Sequence, residues 1–174
     1  MLKLITSAGV IALLSASTVA LAEGPAPSDP QIAHIAYTAG NIDIAAGRQA
    51  LAKSKNKAVR DFAEEMVRDH KAVNDKALAL VKKLHVTPEA NPTSTTLTAQ
   101  ADKERATLAK LNGRAFDKAY AENEVAYHKT VNGALEKTLI PSASNAELKS
   151  LLQTGLTLFR EHQAHAEHVV AQLK

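Results

Sequence analysis

Apolar residues in the C-terminal stretch 144–174 recur at alternating steps of four and three. That spacing keeps one face of a helix apolar along its length, as in a helix that packs inside a bundle. The stripe consists of Leu148, Leu152, Gly155, Phe159, Ala166, Val169 and Leu173. One step is missing, and His162 stands in its place. Ser144 followed by Glu147 predicts a capping box at the start of this helix.

Three further stretches show the same helical periodicity. They are residues 29–54, 56–85 and 114–139. Asp29 before Pro30 predicts the start of the first helix, and Asn56 predicts the cap of the second. Few aromatic residues and many alanines, leucines and lysines also favour helices over a sheet. The sequence therefore predicts an all-α fold, a four-helix up-down bundle.

The connection between the second and third of these helices contains two prolines. Residues 86–94 include Pro88 and Pro92, through which the second helix cannot continue. Thr95–Leu111 then predicts a short, more polar extra helix within the connection.

The first residues have the pattern of a secretory signal peptide. Lys3 gives a positive start, residues 4–21 are mostly apolar, and Ala20-Leu21-Ala22 is a small-residue cleavage site. We expect a signal peptide at 1–22, a flexible leader at 23–29 and one bundle domain at 30–174. Cleavage near Ala22 places the mature protein in a bacterial periplasm or outside the cell. The chain has no cysteine, so it has neither a lipoprotein anchor nor disulfides.

The charge pattern excludes one class of partner. The chain has 21 basic and 18 acidic residues, and the two signs are interspersed. No basic block with interleaved aromatic residues is present, so we expect no nucleic-acid binding. We also expect no transmembrane segment after signal cleavage. No feature of the sequence identifies a protein partner or an oligomeric state.

Each long predicted helix carries a polar residue at or beside its apolar stripe. These candidate metal ligands are Asp43, His70, Glu124, His128 and His162. Charged and imidazole groups are costly to bury unless they are paired, hydrogen-bonded or bound to a metal ion. One interpretation is a divalent metal site in the bundle interior, with Glu65 as a reserve carboxylate. The other is a structural Asp–His hydrogen-bond network that fixes the register of the helices.

A shared site requires the candidate ligands to lie at similar heights along the bundle axis, measured from the turns that connect the helices. Counted from the first turn, Asp43 and His70 differ by only ~3–5 Å. His128 and His162, counted from the last turn, are offset by ~6–9 Å on the same arithmetic. The sequence therefore places the first pair in one layer more readily than the second.

Other polar residues fit an outer surface. His165 and His168 wind away from the apolar stripe, so we expect a solvated face, although Glu161 and His165 have a spacing that can share a metal ion. Asp69 and its charged neighbours are also predicted to lie on the outside.

The order of residues resembles a bacterial exported family known as domain of unknown function 4142. The matching positions are Gly40-Asn41-Ile42-Asp43, Gly47, Val59-Arg60-Asp61-Phe62-Ala63, Met66-Val67-Arg68-Asp69-His70, Asn74, Leu108, Leu111, Gly113, Phe116-Asp117, Tyr120, His128, His162 and Ala166. The resemblance implies a ferritin-like helical bundle with a common polar centre at the positions of His70, His128 and His162. Members of that family usually carry Glu where this chain has Asp43. The resemblance implies no activity.

Two positions separate this chain from ferritin-like di-iron proteins, which use Glu-x-x-His on two helices. Val67 and Phe159 stand where those carboxylates are required. Zinc or copper therefore suits the remaining ligands better than di-iron. We expect a non-enzymatic exported protein that binds a divalent metal ion or has a structural or stress role in the cell envelope. The alternatives are a degenerate ferritin-like metalloenzyme (an oxidase or a peroxide-handling protein) and an interaction module with a hydrogen-bonded polar core.

Overall fold

A computed structural model describes residues 26–173 of the chain. All regular secondary structure in this range is helical, which confirms the predicted all-α class. The helices are α1 (Asp29–Lys53), α2 (Lys57–Lys83), α3 (Pro92–Ala109), α4 (Gly113–Ala134), α5 (Ile140–Ser142) and α6 (Ala146–Gln172). A π-helical turn, Leu135–Leu139, joins α4 to α5. The predicted signal peptide and the start of the predicted leader lie outside the described residues.

The first helix begins with a different cap from the one predicted. Ser28 forms a capping box with Gln31: its backbone N–H donates to Gln31 Oε1 at 3.1 Å, and its side chain accepts from the Gln31 N–H at 3.5 Å. The Asp29 carboxylate instead accepts from the backbone N–H groups of Ser144 and Asn145, both at 2.8 Å. Asn145, and not Ser144, caps α6. Asp29 therefore ties the start of α1 to the start of α6.

The connection after α2 contains a longer helix than predicted. Asn91 and Ser94 form a capping box, so α3 begins at Pro92, inside the stretch that the sequence indicated as linker. The helix lies along α1 in the same direction: Gln49 Nε2 donates to the Arg105 carbonyl at 2.9 Å, and Asn91 Nδ2 donates to the Gln31 carbonyl at 3.3 Å.

The other four long helices surround the interior of the protein. Two hydrogen bonds from α2 to α1 show that these helices are antiparallel. Arg60 donates to the Leu51 carbonyl near the end of α1, and Asn74 donates to the Tyr37 carbonyl nearer its start. Helices α4 and α6 are antiparallel as well, and so are α2 and α6, whose Lys83 and Glu147 form a salt bridge. The connecting helix α3 runs parallel to α1 and leads the chain back to the end at which α2 begins. Helix α4 therefore runs in the same direction as α2. The four helices thus do not alternate strictly in direction, as the up-down prediction requires.

Two apolar clusters fill the interior and leave a polar layer between them. One contains Ala46, Ala50, Val59, Phe62, Ala63, Met66, Leu108, Phe116, Tyr120, Ala121, Ala166, Val169 and Leu173. The other contains Ile32, Ile35, Leu135, Leu139, Ala143, Leu148, Leu152, Leu156 and Phe159. On α1 and α6 the first cluster occupies one half of the helix and the second the other half, and the first cluster on α4 is followed by second-cluster residues in the π-helical turn. The candidate ligands lie where the halves meet.

Helix α4 does not end where the sequence predicts. Pro141 lacks an N–H, and its ring conflicts with the carbonyl one turn earlier in a regular α-helix. The wider π-helical turn precedes it, with the Ile140 N–H bonded to the Leu135 carbonyl, and the helical chain continues to Ser142.

We predict opposite effects for two glycine substitutions in helices. A Cβ at Gly47 would lie 2.9 Å from Val67 Cγ2 and 3.0 Å from the Ala63 carbonyl oxygen, whereas a Cβ at Gly133 would meet nothing within 4 Å. Gly47→Ala should therefore lower the free energy of unfolding by about 1–2 kcal/mol, and Gly133→Ala should raise it by about 0.5–1 kcal/mol. Urea unfolding of both variants checks this. A stabilising Gly47→Ala would contradict the close approach of α1 and α2.

Candidate metal centre

Four helices bring ionisable side chains into the polar layer. Helix α1 supplies Asp43, α2 supplies His70, α4 supplies Glu124 and His128, and α6 supplies His162. Each has at most 2% of its surface exposed. Periodicity predicts that Asp43 lies at the edge of the apolar stripe of α1, but in the structure its side chain is buried in the protein interior. All five residues singled out from the sequence therefore lie in the interior.

The side chains form two groups that share His128. Asp43 Oδ2 lies 3.2 Å from His70 Nε2 and 3.8 Å from His128 Nε2. His70, His128 and His162 each offer a nitrogen within 4.8 Å of the others. Asp43, Glu124 and His128 form a second group with the same spacing. We call these five residues the interior centre; its buried groups have the residue types and spacing to hold a metal ion.

The predicted difference in height of ~6–9 Å between His128 and His162 is wrong. Their ring centroids are 5.5 Å apart. The predicted difference was too large because the helix ends were misplaced. The sequence pattern predicts that α4 ends at Leu139, whereas the helical chain continues to Ser142 and α6 begins only at Ala146. With these ends, the two residues differ by about 3 Å in height.

His128 is oriented by its own helix. Its Nδ1 lies 3.0 Å from the backbone carbonyl oxygen of Glu124, one turn earlier. Because a carbonyl oxygen only accepts, Nδ1 carries the proton and Nε2 carries the lone pair. Nε2 is the nitrogen that faces Asp43.

His162 is oriented from the neighbouring helix. Its Nε2 lies 3.2 Å from Asp69 Oδ2 on α2. Since the carboxylate only accepts, Nε2 donates, and the lone pair is on Nδ1, which has no protein hydrogen-bond partner. Arg68 holds the same carboxylate with two hydrogen bonds, of 2.7 and 3.1 Å.

The prediction that Asp69 lies on the outer surface is wrong. Its side chain is only 19% exposed and contacts a fully buried imidazole. The signal was present in the sequence: Asp69 follows Met66 by three residues and Phe62 by seven, which puts it on the flank of the buried face of α2.

His70 is held by an aromatic ring. The imidazole stacks on Phe159 with a centroid distance of 4.6 Å and an interplanar angle of 12°. Neither of its ring nitrogens has a protein hydrogen-bond partner. Phe159 thus fixes the plane of His70 from the position where a di-iron protein requires a carboxylate.

The predicted hydrogen-bond network is incomplete within the described residues. The buried atoms without a protein partner include Asp43 Oδ1, His70 Nδ1 and Nε2, His128 Nε2 and His162 Nδ1, whereas Glu124 shares a hydrogen bond with Asp43. Each unpaired buried polar atom costs on the order of 1–3 kcal/mol. A bound cation would accept lone pairs from several of them at once, which favours the metal interpretation over a self-sufficient network.

A family comparison covers the whole of this site. The family model described as domain of unknown function DUF4142 matches residues 14–169, which include all five residues of the interior centre. The chain belongs to the DUF4142 family. Searches of curated proteins and of solved structures gave no match. In the described part of this DUF4142 chain, no helix has the length and apolar character needed to cross a bilayer.

Burial sets the charges in the DUF4142 interior. It lowers the pKa of His70 to about 4, more than the nearby Asp43 raises it. Burial also lowers the pKa of His162, and His128 adds to this effect. Burial and then the charge of Asp43 raise the pKa of Glu124 well above its usual range. At neutral pH, His70 and His162 are therefore neutral and have lone pairs to offer.

Asp43 is the anionic member of the centre. Burial alone would raise the pKa of its carboxyl, but the electrostatic interactions with His70 and His128 and a hydrogen bond with Glu124 outweigh burial and leave that pKa below its usual value. The centre thus contains one carboxylate beside the neutral imidazoles of His70 and His162, a donor set that attracts a cation.

We predict a pH-dependent stability that His70 causes in metal-free protein. As pH falls from 6.5 towards 4, the unfolded chain binds a proton at residue 70 and the folded chain does not, so stability is lost across this window. Between pH 7 and 4.5 the loss should be about 2 kcal/mol smaller in His70→Gln than in wild type. Glu124 has the opposite dependence, so the comparison between the two proteins is the measurement.

Urea unfolding of chelator-treated protein at several pH values gives this comparison. His168→Gln, which removes an exposed imidazole from α6, is the matched control and should follow wild type. Parallel pH profiles for wild type and His70→Gln would contradict a buried neutral His70.

Proposed function

We propose that this protein binds one divalent metal ion at the interior centre, with zinc or copper preferred. His70, His128 and His162 are the nitrogen ligands, and Asp43 is the carboxylate ligand. The supporting observation is a set of buried lone pairs without protein partners, on two groups of possible ligands that share His128. Binding, and not catalysis, is the proposed activity.

The distances between the donor atoms support a mononuclear site. In a tetrahedral zinc site with bonds of about 2.0–2.1 Å, neighbouring donor atoms lie about 3.3 Å apart. Asp43 Oδ2 lies 3.2 Å from His70 Nε2 and 3.8 Å from His128 Nε2. The three imidazole nitrogens lie within 4.8 Å of one another. Small side-chain movements therefore bring Asp43, His70 and His128 to coordination distance, and His162 reaches the same ion from the imidazole group.

The outer partners of two imidazoles also support the proposal. Metal-bound histidines commonly donate their second N–H to a carboxylate or a backbone carbonyl, which fixes the tautomer and the ring orientation. His162 donates to Asp69, and His128 donates to the Glu124 carbonyl. In His128 the remaining nitrogen faces Asp43, and in His162 the remaining nitrogen is buried without a protein partner.

The donor set favours zinc or copper over a di-iron pair. Three imidazoles and one carboxylate suit zinc and copper, whereas ferritin-like di-iron sites use mainly carboxylates. Val67 and Phe159 provide no carboxylates at the two positions that a di-iron site requires.

The proposed setting is an exported protein with a ferritin-like bundle. A ferritin-like fold has one long crossover connection, and α3 spans the length of α1 between α2 and α4. The signal-peptide pattern of residues 1–22 supports export to the periplasm or beyond.

A ferritin-like metalloenzyme is the second candidate. The observation in its favour is the group of Asp43, Glu124 and His128, which shares His128 with the imidazole group. Two irons per chain together with oxygen consumption would support an oxidase and contradict the mononuclear proposal.

We predict a graded loss of zinc affinity in three variants. His162→Gln removes a ligand and should weaken binding by about a hundredfold or more. Asp69→Asn removes the negative charge of the group that accepts from His162 and should weaken binding about ten- to hundredfold. His168→Gln is the control on the same helix and should bind as wild type. Competition of purified protein with a chromophoric zinc chelator measures all three.

Elemental analysis and circular dichroism complete the experiment. Wild type should hold one zinc or copper ion per chain, and the variants should keep wild-type helicity. A wild-type protein that binds neither ion, or a His162→Gln variant that binds as wild type, would refute the interior metal site.

A further inference from the structure

A second group of possible ligands lies between the interior centre and solvent. Glu65, Asp69 and His162 each offer a ligand atom within 4.8 Å of the others. His165 Nδ1 lies 2.5 Å from Glu65 Oε2 and orients that carboxylate, as Arg68 orients Asp69. We call Glu65, Asp69 and the Nε2 atom of His162 the outer cluster. It is formed where α2 packs against α6.

Exposure increases steadily outwards through this group. The His162 side chain is fully buried, that of Asp69 is 19% exposed, and that of Glu65 is 28% exposed. In the described part of the chain, Asp69 is the one partly exposed side chain in an ion pair with a residue of the interior centre. The outer cluster is therefore where solvent comes closest to the buried ligands through polar groups.

His162 belongs to both groups through different atoms. Its Nε2 contacts Asp69 in the outer cluster, and its Nδ1 is the nitrogen left for the interior centre. A neutral imidazole carries one proton and therefore offers only one nitrogen to a cation at a time. An ion can thus occupy the outer cluster or the complete interior centre, but not both.

We propose that the outer cluster is a transient divalent-cation site through which the ion reaches the interior centre. This inference rests on the proposed metal-binding function and adds its route. Two partly exposed carboxylates and one imidazole form a weaker site than three buried imidazoles with a carboxylate. The ion binds first at Glu65, Asp69 and His162 Nε2, once Nε2 has lost its proton to solvent and Nδ1 has taken one up. It then moves to His162 Nδ1, His70, His128 and Asp43 as Nδ1 releases its proton and Nε2 regains one.

Arg68 opposes the first step. Its guanidinium forms two hydrogen bonds to the Asp69 carboxylate, although the Arg68 side chain is 69% exposed. A cation that binds Asp69 must displace this group and is repelled by its charge. Removal of Arg68 should therefore accelerate uptake, whereas removal of the Glu65 charge should slow it.

Stopped-flow uptake of Co²⁺, followed by its visible absorption, tests the route. Glu65→Gln should lower both the association and the dissociation rate about tenfold and leave the equilibrium affinity within about twofold, because the final ligands are intact. Glu64→Gln removes the same charge from the adjacent, exposed position and should match wild type. Equal rates in Glu65→Gln and Glu64→Gln would overturn the inference and leave the interior centre standing.

A second pair of variants gives a change of opposite sign. Arg68→Gln should raise the association rate about threefold or more, whereas Lys71→Gln, the same charge change one turn away, should change it less than twofold. Urea unfolding verifies that all four variants are folded. An association rate in Arg68→Gln at or below that of Lys71→Gln would overturn the role given to Asp69.

A variant without the interior site isolates the outer cluster. His70→Gln/His128→Gln should keep weak Co²⁺ binding, at least a hundredfold weaker than wild type, and adding Glu65→Gln should abolish it. Weak binding that survives Glu65→Gln would overturn the outer site. Wild-type affinity in His70→Gln/His128→Gln would instead refute the interior centre, so the two failures are distinguishable.

Discussion

The burial of ionisable groups between two apolar clusters is the condition on which the rest of this structure depends. Asp43, Glu124 and three histidines have almost no exposed surface, yet most of their inward atoms have no protein partner. Such groups destabilise a fold by several kcal/mol unless something compensates them. The apolar residues on either side provide that stability, because they form continuous cores on both sides of the polar layer. The free-energy cost of burying ionisable groups is thus confined to the interior centre, as is common in binding sites.

Helix periodicity was enough to find the residues of the interior centre. His70 and His162 occupy steps of otherwise apolar stripes, and such a position on a long amphipathic helix is buried whatever the connections are. The stripe of α6 shows the same reliability, since each of its predicted apolar members is buried. The helical class follows from the same pattern.

Features that depend on exact helix ends and on neighbouring helices were beyond the sequence pattern. The π-helical turn before Pro141 extends the helical chain, and this shift brings His128 level with His162. The start of α3 depends on the capping box formed by Asn91 and Ser94. The sequence pattern places both residues in a proline-containing linker. Asp69 was assigned to the surface because its contact with His162 comes from another helix, which the pattern of α2 alone does not contain.

The carboxylate of Asp29 has a consequence for the boundary of the helical domain. It accepts hydrogen bonds from two backbone N–H groups more than a hundred residues away, at Ser144 and Asn145. The residue predicted to end the leader is thus part of α1 and connects the start of the first helix to the start of the last. A shortened chain that lacks Ser28 and Asp29 loses both the cap of α1 and this connection, although every residue of the interior centre is retained.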